Sequence, residues 1–292
     1  MKNLKIKLEQ DLKDFDAKKI KAIAIDIDGT LINEHTICTE RTEKAVKALI
    51  QTGREVYIVT GRSTLTAMPF AKQIGIPNYM INYNGASVWN MQTQKRENEH
   101  TLDSNIIQIL IKLLRDRQMM SLAYVNDQFY YEIENAYLEQ YFKRITIPGF
   151  NKPLDELPMD LFHKLFIMGS DEEIIEMHKL LSENYGDKLS IFLTTPGMHN
   201  LTHPENPARC IELMAKGVNK GEALTRLLRQ QNITMDEAVA FGDDNNDIEM
   251  LESVAWGVAM HNARSTVKKV ARLETLSHND DGVAYFIENY LL

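Results

Sequence analysis

Asp26 and Asp28 stand two residues apart at the end of an apolar run, with Gly29 and Thr30 following at once. On an extended strand, residues two apart share a face, so the pair presents two carboxylates just past the carboxyl edge of a sheet. Gly29 lets the chain turn sharply there. Two close carboxylates resist joint ionisation, so one can keep a proton and act as an acid while the other attacks an electrophile. Three further segments supply what a phosphoryl transfer needs. Thr60, Gly61 and Arg62 offer a hydroxyl and backbone N–H groups where an apolar run meets a helix start, a cradle for phosphate oxygens. Lys220 stands between Asn219 and Gly221 at another helix start, where an ammonium can neutralise those oxygens. The acidic run Gly242-Asp243-Asp244-Asn245-Asn246-Asp247 follows an apolar strand, and one helical turn brings Asn246 and Asp247 back beside Asp243. Such oxygens suit a hard cation, Mg2+ above all; Asp244 reads as a solvated side chain.

Taken singly, these pieces have bland readings: a Thr-Gly turn, a solvated lysine, an acidic turn that caps a helix. A calcium loop fails at the first segment, because Thr30, Leu31 and Ile32 break its regular oxygen spacing. Their order along one chain is what gives the four segments weight.

The elements that must position them follow from periodicity. Residues 20–28 read Ile-Lys-Ala-Ile-Ala-Ile-Asp-Ile-Asp, and the apolar run within them has the pattern of a buried parallel strand. From Thr39 the spacing of Ala45, Val46, Leu49 and Ile50 predicts a helix that stops near Gly53. A strand over 55–59, a helix capped by Ser63 and ending near Gly75, and a strand over 78–83 follow. That alternation implies a parallel sheet with crossover helices. The rhythm is lost between 88 and 208, where scattered elements include a strand from Phe162, a helix over 171–185 and a strand over 189–194. It returns with a helix at Asn219, a strand at Ala238, a short helix from Asn245, a strand at 254–259 and a final amphipathic helix after Gly282. The expected architecture is α/β: a Rossmann-like parallel core from residues 1–87 and 209–292, with an inserted α+β domain at 88–208.

A chain of 292 residues, 44% of them hydrophobic, can bury a large core in two domains. The net charge of −8 argues against a nucleic-acid partner. The two cysteines, Cys38 and Cys210, form no disulfide framework or metal signature. The charged segment from Met1 to Lys19 lacks a signal-peptide core, and no run is apolar enough to span a membrane, so a cytoplasmic location is expected. Two glycosylation triplets, at Asn200 and Asn232, are then chance matches. His199 and His203 lie four apart, but Pro204 argues against a helical metal pair.

Asp26-Ile27-Asp28-Gly29-Thr30, Val59-Thr60-Gly61-Arg62, Asn219-Lys220-Gly221 and the run from Gly242 to Asp247, in that order, resemble the four motifs of the haloacid dehalogenase superfamily. The long insert between the second and third resembles the C2-type cap of its Cof-like branch, class IIB. Ile81-Asn82-Tyr83-Asn84-Gly85-Ala86 and Asn279-Asp280-Asp281-Gly282-Val283-Ala284 support that branch. The resemblance covers nearly everything after Lys19; Val59, where the branch commonly has alanine, is a departure without chemical consequence.

The resemblance implies a Mg2+-dependent phosphatase with a defined division of labour. Asp26 is the nucleophile; Asp28 protonates the leaving oxygen and then activates water. The metal is held by Asp26, the backbone carbonyl of Asp28 and Asp243, with Asp247 orienting that shell. Thr60, Gly61 and Lys220 bind phosphoryl oxygens, and Asn246 reaches the phosphate. The insert covers the leaving group and selects among small phosphorylated metabolites, sugar phosphates first, then flavin mononucleotide or pyridoxal phosphate. A sugar phosphomutase is the enzymatic alternative. A non-catalytic phosphometabolite sensor is the other, although a pure binder has no need of a nucleophile.

Overall fold

The structure, a computed structural model, describes residue 12 and residues 14–145, 147–194 and 209–292. The histidine pair at 199 and 203, the triplet at Asn200 and most of the charged N-terminal segment lie outside the described residues.

β1 (Ala22–Ile25) is buried at every position, as a central parallel strand must be. α1 (Glu40–Gln51) starts where the Thr39 hydroxyl accepts the Thr42 N–H, and buries Ala45, Val46 and Leu49. β2 (Glu55–Val59) and α2 (Thr64–Ile74) follow; Ser63 caps α2, and Gly75 ends it at φ +77°. β3 (Tyr79–Asn82) completes the first parallel set. The chain then doubles back through Tyr83 and Asn84, both with positive φ, into the hairpin β4 (Ser87–Asn90) and β5 (Lys95–Glu97).

The intervening segment contains α3 (Ser104–Asp116), β6 (Met120–Val125), β7 (Gln128–Tyr131), α4 (Ala136–Ile145), β8 (Phe150–Asn151), β9 (Phe162–Gly169), α5 (Asp171–Tyr185), β10 (Leu189–Thr194) and β11 (Arg209–Ala215). The chain then resumes with α6 (Lys220–Gln230), β12 (Ala238–Gly242), α7 (Ile248–Ser253), β13 (Trp256–Ala259), α8 (Ser265–Val270), β14 (Leu273–Glu274) and α9 (Gly282–Phe286).

Among the described residues, one sheet runs β14-β13-β12-β1-β2-β3-β4-β5, parallel through β3 and antiparallel in the last two. A second sheet runs β10-β11-β9-β6-β7-β8 and is antiparallel except where β7 meets β8. The chain divides into two compact units, Met1–Glu97 with Asn219–Leu292 and Asn98–Val218. In the second unit, α3 and α5 pack Ile107, Leu110, Leu114, Ile174, Met177 and Leu181 against Ala123, Leu165, Ile167 and Leu213 of the sheet. Each such buried Leu, Ile or Met side chain contributes roughly 1.5–3 kcal/mol.

The division differs from the expected bounds of 88 and 208 in two places. Val88 pairs with Ile81, so the β4–β5 hairpin extends the first sheet, and Trp89 goes with it. At the other end, Arg209–Ala215 pairs with both β9 and β10, so it belongs to the second sheet. The first strand is also shorter than its apolar run: it ends at Ile25, and residues 26–32 turn.

Candidate active site

β1 lies between β12 and β2, which continue to opposite sides of the sheet. At such a reversal the loops beyond the carboxyl ends diverge and leave a crevice. Asp26 directly follows β1, Thr60 follows β2 and Asp243 follows β12. The register pairs Ile25 with both Ile58 and Phe241, so the three loops leave the sheet side by side. The Asp26 N–H donates to the Phe241 carbonyl at 3.1 Å, fixing the backbone at the start of its loop.

Lys220 is the centre of the arrangement. Its Nζ lies 2.6 Å from Asp26 Oδ1 and 2.6 Å from Asp247 Oδ1. The ammonium is only 1% exposed and Asp26 5%, so the bland expectation of a solvated lysine does not hold. Asn219 sets its place by accepting the Glu222 N–H, which starts α6 at Lys220. Gly221 is required there, since a Cβ would stand 2.3 Å from the Glu249 carbonyl oxygen.

Asp247 is fully committed. One oxygen takes Lys220, and the other accepts the backbone N–H groups of Asp243 and Asp244 at 2.9 and 3.0 Å. It therefore orders the loop that carries Asp243. Asp244 caps the short turn at Asn245–Asp247 and pairs with Arg264, so it does more than face solvent. Asp243 itself receives the Thr30 hydroxyl on Oδ1 at 3.2 Å. Gly29, at φ +77°, presses against it, and a Cβ there would fall 2.2 Å from Asp243 Oδ2.

Asp28 departs from the expectation of two aspartates on one extended strand, because the strand ends at Ile25. The chain turns before Asp28, and its side chain goes to Arg62, whose Nε and Nη2 each lie 2.6 Å from a carboxylate oxygen. Each aspartate thus has its own cation: Lys220 for Asp26 and Arg62 for Asp28. The Arg62 guanidinium in turn rests over the Phe70 ring, 5.0 Å from its centroid.

The second motif is drawn in by a separate chain of contacts. Thr60 Oγ1 accepts the Arg62 N–H at 3.1 Å, and the Thr60 carbonyl accepts the Asn84 N–H at 2.9 Å. A Cβ on Gly61 would meet Asn84 Oδ1 at 2.9 Å. That same oxygen accepts Asn246 Nδ2 at 2.9 Å, which ties the fourth motif to the second. The sequence-predicted residues Asp26, Asp28, Thr60, Gly61, Lys220, Asp243, Asn246 and Asp247 therefore lie on neighbouring loops beyond β1, β2 and β12 and at the start of α6, tied together by these contacts.

Four participating side chains carried no assigned role from sequence. Thr30, Arg62 and Asn84 stood inside the quoted segments, and only their types hinted at a function. Asn262 gave no signal at all: it donates to the Gly29 carbonyl at 2.8 Å across 233 residues of chain.

Burial dominates the electrostatics. It pushes the Asp26 carboxyl up to about 8, against the pull of Lys220 and with help from Asp247 and Asp28. Asp243 is likewise raised well above the carboxylate range by burial, then by Asp247 and Asp26. Burial works against a charged Lys220, but the Asp247 and Asp26 carboxylates outweigh it and its pKa is raised, so the ammonium stays charged.

Oxygens of Asp26, Asp243 and Asp247 lie within 4.8 Å of one another. Three carboxylates share one buried ammonium, and two of them are held above their ordinary pKa. That excess of anionic oxygen is what a hard divalent cation neutralises. The donor set is all oxygen, and Asp26 and Asp243 are the members not already saturated by hydrogen bonds, so these residues fit the ion.

Comparisons with known proteins place the chain in a family. The family model described as haloacid dehalogenase-like hydrolase matches residues 23–287. A Haemophilus influenzae protein is 31% identical over 92% of this chain and 97% of its own. The 5-amino-6-(5-phospho-D-ribitylamino)uracil phosphatase YitU of Bacillus subtilis is 27% identical over 92% of this chain and 96% of its own. A haloacid dehalogenase-like hydrolase from Bacteroides thetaiotaomicron, known from its crystal structure, superposes with a TM-score of 0.81 at 25% identity, covering 92% of this chain and 98% of that one. The chain belongs to the haloacid dehalogenase-like hydrolases, and it is an enzyme of that family's phosphatase class.

Proposed function

We propose that this protein hydrolyses small phosphomonoesters in a Mg2+-dependent reaction that passes through an aspartyl-phosphate on Asp26. The observation that carries the proposal is Lys220, buried and bridging Asp26 to Asp247, with Asp243 within 4.8 Å of both carboxylates. A binding protein gains nothing from burying a carboxylate in that position, whereas a nucleophile needs its charge held and aimed.

Asp26 Oδ2 attacks phosphorus while Oδ1 remains on Lys220, and the bond to the leaving oxygen breaks. Asp28 delivers the proton that oxygen requires. Its ion pair with Arg62 must open before it carries that proton. Asp28 then takes a proton from water, whose oxygen attacks phosphorus and frees Asp26. Thr60, Gly61, Lys220 and Asn246 bind the phosphoryl oxygens. Mg2+ held by Asp26, the Asp28 carbonyl and Asp243, with Asp247 orienting them, would offset the repulsion between an anionic nucleophile and an anionic ester. Positioning and fixed cations can supply most of the rate enhancement for phosphoryl transfer.

Residues 98–218 are proposed to select the substrate. Sugar phosphates remain the first choice, and the ribityl phosphate in the name of the Bacillus subtilis relative points to the same class of ester. The decisive measurement is release of inorganic phosphate from a panel of phosphorylated metabolites and p-nitrophenyl phosphate, with and without a chelator. Asp26→Asn should keep its fold and lose activity by ~10⁴-fold or more. Wild-type turnover by that variant, or undiminished turnover in chelator, would overturn the proposal. Isomerised sugar phosphate without phosphate release would identify a mutase.

A further inference from the structure

We propose that Asn262 is a positioning residue for the cation site, acting through Asp243 and the turn at Gly29. The inference rests on the reading of Asp26 and Asp243 as cation ligands. Asn262 Nδ2 donates to the Gly29 carbonyl at 2.8 Å and lies 3.4 Å from Asp243 Oδ2. Its Oδ1 accepts the His278 N–H at 2.9 Å, so the amide plane is anchored from behind. Asp243 is thereby held on two sides, with Thr30 on Oδ1 and Asn262 on Oδ2.

The same part of the chain grips the loop after Asp28 at further points. Asn279 Oδ1 accepts the Glu34 N–H at 3.0 Å, and Asp281 accepts the hydroxyls of Thr39 and Thr42 at 2.5 and 3.2 Å. The terminal stretch Asn279-Asp280-Asp281-Gly282 thus braces residues 34–42, while Asn262 reaches the Asp243 carboxylate itself. Removing the Asn262 amide frees Asp243 to swing and lets the Gly29 carbonyl turn away. A group that orients a ligand carboxylate typically governs metal affinity by 10–100-fold.

The test compares Asn262→Ala with Asn279→Ala, which loses the neighbouring tether at Glu34 but no contact to Asp243. Apparent Mg2+ affinity is read from the shift of the melting temperature as the ion is titrated, without substrate. Asn262→Ala should bind Mg2+ about 10-fold or more weakly, with its ion-free melting temperature nearly unchanged. Its kcat should recover at saturating Mg2+, since no reacting group is lost. Asn279→Ala should bind Mg2+ as the wild type does. If Asn262→Ala does not fold, Asn262→Ser carries the same expectation. Unaltered affinity in the Asn262 variant, or equal weakening in both, would overturn the inference alone. A wild-type protein that shows no response to Mg2+ would overturn the reading of the site as well.

Discussion

Lys220 shows how much of this site depends on a single side chain. Its ammonium offsets two carboxylates that are themselves nearly inaccessible to water. Lys220→Met should therefore destabilise the protein by about 3–5 kcal/mol, because Asp26 and Asp247 lose a buried partner, as denaturant unfolding would show. Added Mg2+ should return part of that loss. The Asp26 carboxyl, raised from 3.8 to about 8, gives the pH dependence its sign. Between those values the folded protein binds a proton that the unfolded chain has released, so this group's contribution to stability falls as pH rises. A divalent cation replaces that proton, so its stabilising effect should grow with pH. The increment in melting temperature on adding Mg2+ should be larger at about pH 8 than at about pH 6; a flat or reversed trend would contradict the assignment of Asp26 to the cation.

Turns and strand ends do the positioning, and Gly29 is one that admits no side chain. Its φ of +77° and its closeness to Asp243 leave no room for a Cβ. Gly29→Ala should cost about 1–2 kcal/mol for the backbone alone and should also weaken Mg2+ binding, measurable by the same thermal titration. The caps and periodicities that define α1 and α2 were legible in sequence because Thr39, Ser63, Gly53 and Gly75 act on their own neighbours. The β4–β5 hairpin was not, since a short, charged strand such as Lys95–Glu97 has no apolar alternation to betray it. Arg209–Ala215 lies beyond the end of the insert as sequence placed it, and its partners β9 and β10 are settled only by sheet register. The site was legible as residue types: Asp26, Asp243 and Lys220 do meet. What could not be read was who pairs with whom. Asp28 with Arg62, and Asn262 with Gly29, are matches of geometry across 34 and 233 residues.

Across the whole molecule, the catalytic unit is written in two instalments. β1 is flanked in the sheet by β2, which comes soon after it, and by β12, which comes only after the second unit is complete. Asp26 and its lysine are separated by 194 residues. At a synthesis rate of ~5–20 residues per second, the nascent chain carries its aspartate for about 10–40 s before the matching ammonium leaves the ribosome. Throughout that interval one margin of β1 has no neighbouring strand, and such a margin invites pairing with another chain. A chain that stops after Val218 should accordingly collect in the insoluble fraction where the full-length product stays dissolved. The arrangement also withholds chemistry from unfinished copies: a nascent chain that has not yet reached Lys220, Asp243 and Asp247 lacks the ammonium and two of the three clustered carboxylates.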